Sequence, residues 1–205
     1  MRTILSVVCT LFALEGFSQS PVAISLNALR EGDLLFCAQT NGNNITDVTQ
    51  GVDGLKIDHV AILHRTENRT FALEAIHRGV CLTPIDSFIN RREIVLAARL
   101  RDTVGVARSV ERALKYLGKP YDFNFMPDDS AMYCSELVQK SYRHADGRLV
   151  FNPIPMSFHD KTGIVTPYWK DYYARQGLAV PEGEPGSNPG DLSRGNAVVI
   201  LGELK

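Results

Sequence analysis

The apolar pattern of this chain changes period near residue 101, and that change limits the folds open to it. Ahead of it, Gly32-Asp33-Leu34-Leu35-Phe36-Cys37, Ile57 to Leu63, Thr70 to Ile76, Gly79 to Leu82 and Ile94 to Leu100 are apolar runs of strand length, joined by short polar turns. Such close spacing predicts a mostly antiparallel, strongly curved sheet. Asn43-Asn44 is read as the cap of a short helix through Ile45 and Val48, and Thr83-Pro84 as the start of another.

Beyond residue 101 the spacing becomes helical. Asp102-Thr103 caps a helix whose Val106, Ala107, Val110, Ala113, Leu114 and Leu117 share one face, and Gly118 stops it. Lys119-Pro120-Tyr121-Asp122-Phe123 reads as an extended link, because proline forces its predecessor out of helical geometry. Ser130 is then the expected N-cap of a helix running to about Ala145, buried through Leu137, Val138 and Tyr142. Thr166-Pro167 opens a helix bearing Tyr168, Trp169, Tyr172 and Tyr173, residues 179 to 190 form a loop rich in proline and glycine, and Ser187 to Leu192 resembles another helix start. Ala197 to Leu201 returns as a last strand. The fold class is therefore α+β, one sheet packed against helices, with no internal repeat and no second domain.

The first residues bear on location. Met1-Arg2 precedes the apolar run Ile4 to Leu14, and Gly16, Ser18 and Ser20 supply small residues for cleavage, so residues 1–20 read as a secretory signal peptide. The run is too short to span a bilayer, which leaves no integral membrane segment after cleavage. Cys9 lies inside the run without the small residues that a lipid-attachment site needs before it. Residues 21–205 are then a single exported domain, periplasmic or extracellular. A formal net charge of -1 with 22% charged residues gives no electrostatic footprint for nucleic acid. Three cysteines remain in an oxidising compartment. Cys37 and Cys81 either pair or pack as core thiols, and Cys134 is left free.

Cys134 is the candidate nucleophile. It shares the inward face of its helix with Leu137 and Val138, while its backbone sits among the unpaired N–H groups of a helix N-terminus. The positive end of the helix dipole favours the thiolate there, and the same N–H groups can hold an oxyanion. A base and an orienting group must come from elsewhere in the chain. Among five histidines His59 is preferred over His77 because it opens an apolar strand; His144 is too far along the cysteine helix, and His64 points to the opposite strand face. Glu74 stands between Leu73 and Ala75, where a carboxylate needs a partner. Each residue also has a plainer explanation: an inert buried thiol, a strand-end histidine in water, and an ion pair of Glu74 with Arg65 or Arg78. Asp58, His59 and Glu74 match no metal-ligand spacing, so no metal is expected.

The ordered set Gly32-Asp33-Leu34-Leu35-Phe36, Asp58-His59-Val60-Ala61-Ile62, Leu73-Glu74-Ala75, Gly118-Lys119-Pro120-Tyr121-Asp122 and Tyr133-Cys134-Ser135-Glu136-Leu137-Val138 resembles the circularly permuted papain-fold amidases. These are the YiiX/YebB-like branch of the NlpC superfamily of cysteine hydrolases. His59 precedes Cys134, the permuted order, and the resemblance spans roughly Leu29 to Leu201. It implies a permuted papain-like fold with Cys134 as nucleophile, His59 as general base and Glu74 as the group that orients the histidine. It also makes Tyr121 and Tyr133 candidates for the substrate pocket, with Glu136 read as a helix-surface or capping carboxylate. The implied activity is hydrolysis of an amide bond in cell-wall peptides or related small peptides, without a cofactor. Two rivals are a lipid or ester acyl hydrolase or acyltransferase using the same triad, which a wide apolar cleft lined by the Tyr168 to Tyr173 helix would favour, and a catalytically silent peptide-binding domain. The oligomeric state is left open.

Overall fold

Residues 21–205 are described by the computed structural model, so the signal peptide expected at residues 1–20 lies outside the described part. After the short strand β1 (Ala23–Ile24), the apolar runs become β2 (Leu34–Gln39), β3 (Lys56–Arg65), β4 (Thr70–Ile76), β5 (Gly79–Pro84) and β6 (Ile94–Leu100). Two-residue strands β7 (Ile154–Pro155) and β8 (Pro185–Gly186) pair with each other, and β9 (Val198–Leu204) closes the chain. The main sheet has the order β1-β9-β6-β2-β3-β4-β5, and every pairing in it is antiparallel except β1 with β9. Among the described residues the helices are α1 (Ile85–Ile89), α2 (Val106–Leu114), α3 (Cys134–Ser141), α4 (Pro167–Ala174) and α5 (Pro189–Arg194). None of them is long and apolar enough to cross a membrane.

Both faces of the sheet are covered, which is why β3 reads as nearly unbroken apolar sequence rather than as an alternation. Phe36, Val60, Ile62, Leu73 and Ala75 pack with Val110, Ala113, Leu137 and Val138 from α2 and α3. Leu35, Ala61, Leu63 and Ala72 pack on the other face with Ile85 and Phe88 from α1. A third, smaller cluster joins Met156 and Phe158 to Trp169 and Tyr173 of α4.

Several boundaries differ from the sequence expectation for local reasons. Ser130 is not the cap of α3: its N–H and hydroxyl are taken by Asp128, and Tyr133 (φ -100, ψ 171) is the residue that leads into the helix. The helix also stops at Ser141, where Tyr142 turns to φ -83, ψ 116, well short of Ala145. Thr83 and Pro84 complete β5 before α1 starts, and the turn at Asn43 closes with its side chain accepting from the Ile45 and Thr46 N–H groups, without continuing as a helix. The start at Asn188 does form, with its side-chain oxygen accepting from the Asp191 N–H at 2.8 Å. Cys37 and Cys81 are both free thiols, so of the two readings the unpaired one holds.

Candidate active site

The strand carrying His59 is irregular where the site begins. Cys37 of β2 faces His59, yet Ala38 faces Ile57, so Asp58 is an extra residue in the ladder, a bulge that re-aims the side chains around it. The Asp58 Oδ2 accepts from the side-chain amides of Asn43, at 2.7 Å, and of Gln39. It does not contact His59 as an orienting group would, and instead lines a cavity beside Cys134. His59 is buried, and its Nε2 lies 2.8 Å from Oε2 of Glu74 on the neighbouring strand β4.

Glu74 has no exposed surface, so each of its lone pairs needs a donor. Its Oε1 accepts from the Thr83 hydroxyl at 2.6 Å and from the Arg91 guanidinium, and Arg92 stands 3.9 Å from Oε2. Arg91 and Arg92, rather than Arg65 or Arg78, are therefore the cations that compensate it. Arg65 is occupied with the backbone carbonyls of Leu26 and Leu29. Both compensating guanidinium groups lie over the Phe88 ring, at 5.5 and 5.6 Å, and Phe88 in turn sits 6.3 Å from the imidazole.

These contacts set the charge states. Burial alone would raise the Glu74 pKa, but the His59 and Thr83 hydrogen bonds and the Arg91 charge outweigh it and hold the carboxyl at about 2. With Glu74 ionised, the Nε2–H of His59 donates to it, which leaves Nδ1 for another partner. Cys134 lies near enough to the imidazole to bear on its charge. Burial pushes the His59 pKa down, yet the nearby Cys134 and the hydrogen bond to Glu74 raise it above its ordinary value, against the opposing charge of Arg92.

Cys134 is the first residue of α3 and is buried. The N–H groups of Cys134 and Ser135 precede the helix's own hydrogen-bond ladder and are free to meet negative charge. Glu136 reaches back to the Tyr133 N–H at 3.4 Å and pairs with Lys140 one turn on, a capping role as expected. It is buried, not a surface group, and burial raises its pKa.

Tyr121 and Tyr133 both line the cavity beside Cys134. A single bridge to Met132 holds Tyr121 alongside the segment entering α3, and the Tyr133 hydroxyl accepts from the Ser187 N–H at 3.1 Å. Next to this cavity a wider cleft of about 480 Å³ has His59 in its wall, among Tyr121, Phe125, Tyr168, Trp169 and Tyr172. The other histidines are engaged away from Cys134: His64 with Glu31, His144 with Asp102, His159 with Glu182. His77 is exposed at the rim of the wider cleft. Sequence reasoning missed Thr83, Arg91 and Arg92 around Glu74 and Phe125 in the walls, whereas the helix bearing Tyr168, Trp169 and Tyr172 does line the wider cleft, the feature named for the ester-cleaving alternative. The adjacent arginines carried no signal beyond a charged turn. Among the described residues, no group of three or more His, Cys, Asp or Glu is placed to hold a metal ion.

Comparison with known proteins bears on this arrangement. The sequence profile of the family described as permuted papain-like amidase enzyme, YaeF/YiiX, C92 family, matches residues 28–160. The uncharacterized protein YiiX of Escherichia coli K12 is 27% identical over 155 residues, covering 73% of this chain and 71% of that protein. A crystal structure described as that of the metalloprotein yiiX from Escherichia coli O157:H7 has the same fold, with a TM-score of 0.70 at 23% identity over 85% of this chain and 97% of the other.

Proposed function

Because the chain belongs to the C92 family of permuted papain-like amidases, we propose that it is an exported cysteine amidase that cleaves small peptides, those of the cell wall above all, with Cys134, His59 and Glu74 as its catalytic machinery. The observation that supports this reading is the buried pair of His59 and ionised Glu74, 2.8 Å apart, with Cys134 near enough to raise the proton affinity of the imidazole. In the reaction the Cys134 thiolate attacks the amide carbonyl carbon and the carbonyl π pair moves onto oxygen. The N–H groups of Cys134 and Ser135 stabilise that oxyanion. As the C–N bond breaks, the proton held on His59 Nδ1 passes to the leaving amine, giving a thioester. Neutral His59 then takes a proton from water, the hydroxide attacks the thioester, and the thiolate leaves with the imidazolium restored beside it. Glu74 stays ionised throughout and fixes which ring nitrogen faces the sulfur. Export rests on the apolar N-terminal run. The structural neighbour is described as a metalloprotein; among the described residues of this chain no group of three or more His, Cys, Asp or Glu offers a matching ligand set.

One observation favours a second reading. The exposed Phe123 and Tyr168, with Tyr172, form an aromatic wall to the His59 cleft, which would suit an acyl chain held for attack on an ester by the same triad. Incubation with cell-wall peptides of defined composition and with acyl esters, reading products by mass, separates the two. The amidase reading expects new amine termini that vanish in Cys134→Ala while the variant keeps its fold. Peptide turnover that survives Cys134→Ala, or turnover of esters alone, overturns it.

A further inference from the structure

Two spaces meet at the candidate active site, and one side chain bordering both is held there under strain. Cys134 lines the small cavity of about 60 Å³, His59 lines the wider cleft of about 480 Å³, and Ile45, Tyr121, Phe125 and Trp169 border the two alike. Of these four, Phe125 has φ 52, a backbone conformation that a bulky residue rarely takes. Such strain persists only where the surroundings over-determine it. Here the buried Asp122 carboxylate accepts from the N–H groups of Asn124, at 2.8 Å, and Met126, at 2.7 Å, on either side of Phe125. The hydroxyls of Tyr172 and Tyr173 donate to Phe123 O and Asn124 O, at 2.8 and 2.9 Å, and tie the same loop to α4. The Phe125 ring is thereby set edge to face against Tyr133 and Trp169, with centroids 5.3 and 5.8 Å away.

We propose that Phe125 determines specificity by closing off a pocket for a small aliphatic side chain, that of the substrate residue whose carbonyl Cys134 attacks. Room beside the nucleophile limits the occupant. An apolar cavity that admits a benzene ring is about 150 Å³, so a space of about 60 Å³ takes the methyl of alanine or the branched chain of valine and leaves no place for an aromatic ring. The wall limits it too. Ile45, Val48, Met156 and Phe158 line the pocket with Phe125, so an aliphatic group gains by leaving water, whereas a charged one would give up its hydration against a mostly apolar surface. The rest of the substrate has the aromatic cleft beside His59 to extend into. Assigning the occupant to the residue at the scissile bond rests on the amidase reading; the pocket itself does not.

The chloromethyl ketones of N-acetylalanine and N-acetylphenylalanine test the pocket without any turnover. The Cys134 thiolate displaces chloride from the CH2 carbon, forming one C–S bond. Labelling is followed by mass on digests, which separates Cys134 from the other free thiols, Cys37 and Cys81, and each rate is divided by that of the same reagent with free N-acetylcysteine. The alanyl reagent is expected to label the full protein about tenfold or more faster than the phenylalanyl one. Glycine takes a positive φ without strain, so Phe125→Gly removes the ring while suiting the loop, and it is expected to bring the ratio close to one. Phe125→Leu, with a smaller side chain than the native ring, is expected to fall between. Equal labelling of the wild type, faster labelling by the phenylalanyl reagent, labelling by neither, or a ratio unchanged in folded Phe125→Gly overturns the proposal. Should the melting curve show that variant unfolded, Phe125→Leu decides, and failing both the wild-type ratio does. Alanyl preference without hydrolysis of any peptide sustains the pocket and removes the amidase reading. Hydrolysis of peptides whatever the size of that side chain does the reverse.

Discussion

At the scale of single residues, His59 is balanced between charges of opposite sign. Glu74 stabilises its imidazolium and Arg92 opposes it. If His59 is the acid of the reaction, the alkaline limb of kcat/KM follows the loss of its proton. Glu74→Gln keeps an acceptor for Nε2–H but removes the charge, so the limb is expected to move to lower pH. Arg92→Gln removes the opposing charge, so the limb is expected to move to higher pH. pH–rate profiles of both variants check this; a structural role alone would lower rates without opposite displacements. Glu74→Gln also weakens the charge-assisted bonds that Arg91 and Thr83 donate, but Arg91 is half-exposed and stays solvated, so a loss of about 1–3 kcal/mol measurable by urea unfolding is expected. Because the Glu74 pKa is depressed, its contribution is present above the ordinary carboxylate range and fades as pH falls toward about 2. The His59–Glu74 contact was legible in the sequence because each is an ionisable group in an otherwise apolar strand, and the burial of Cys134 at a helix start was legible from its spacing to Leu137 and Val138. Thr83, Arg91 and Arg92 were not, because only the return of the chain through β5 and α1 brings them to Glu74.

At the scale of elements, the placement of Tyr121 depends on an edge that no periodicity announces. The segment Gly118 to Pro120 runs beside the first residues of β5, with the Val80 N–H donating to Lys119 O and the Gly118 N–H to Val80 O, each at 2.9 Å. Gly79 permits this approach. It has φ +92, and a Cβ there would come within 2.3 Å of Lys119 O. Gly79→Ala is expected to cost about 2 kcal/mol or more through strain and displacement of that segment. The shift should also loosen Tyr121, so KM is expected to rise more than kcat falls; thermal melts with steady-state kinetics test both, and an unchanged melting point would refute the account. The strand cores were readable from their apolar runs. The bulge at Asp58 and the start of α3 at Cys134, rather than directly after Ser130, depend on cross-strand register and on Asp128 capturing Ser130, which single-strand patterns do not encode.

Across the whole molecule, the proposed site lies where the main core meets the small aromatic cluster. Cys134 packs with the sheet through Leu137 and Val138, whereas one wall of the cleft belongs to Trp169 and its neighbours. Trp169 ties that wall to the Asn43–Val48 turn, its indole N–H donating to Asn44 O at 3.1 Å. The order of elements, strands first and nucleophile helix later, was visible in the sequence and pointed to the permuted fold; that residues near 45, 125 and 169 would close over one site was not, since their contacts are set only once the chain has folded back. Small clusters outside the main core open at lower free energy than the sheet. Removing a buried indole costs about 3–5 kcal/mol, enough to open such a unit. Trp169→Ala is therefore expected to lose amide protection through residues 156–174 while β2 and β3 stay protected, with Cys134 more open to thiol reagents and turnover depressed through KM. Hydrogen exchange followed by mass reads both regions at once. Loss of protection in the sheet together with the aromatic segment would mean that cleft wall and core unfold as one unit, and the wall could not then act as an independently adjustable side of the site.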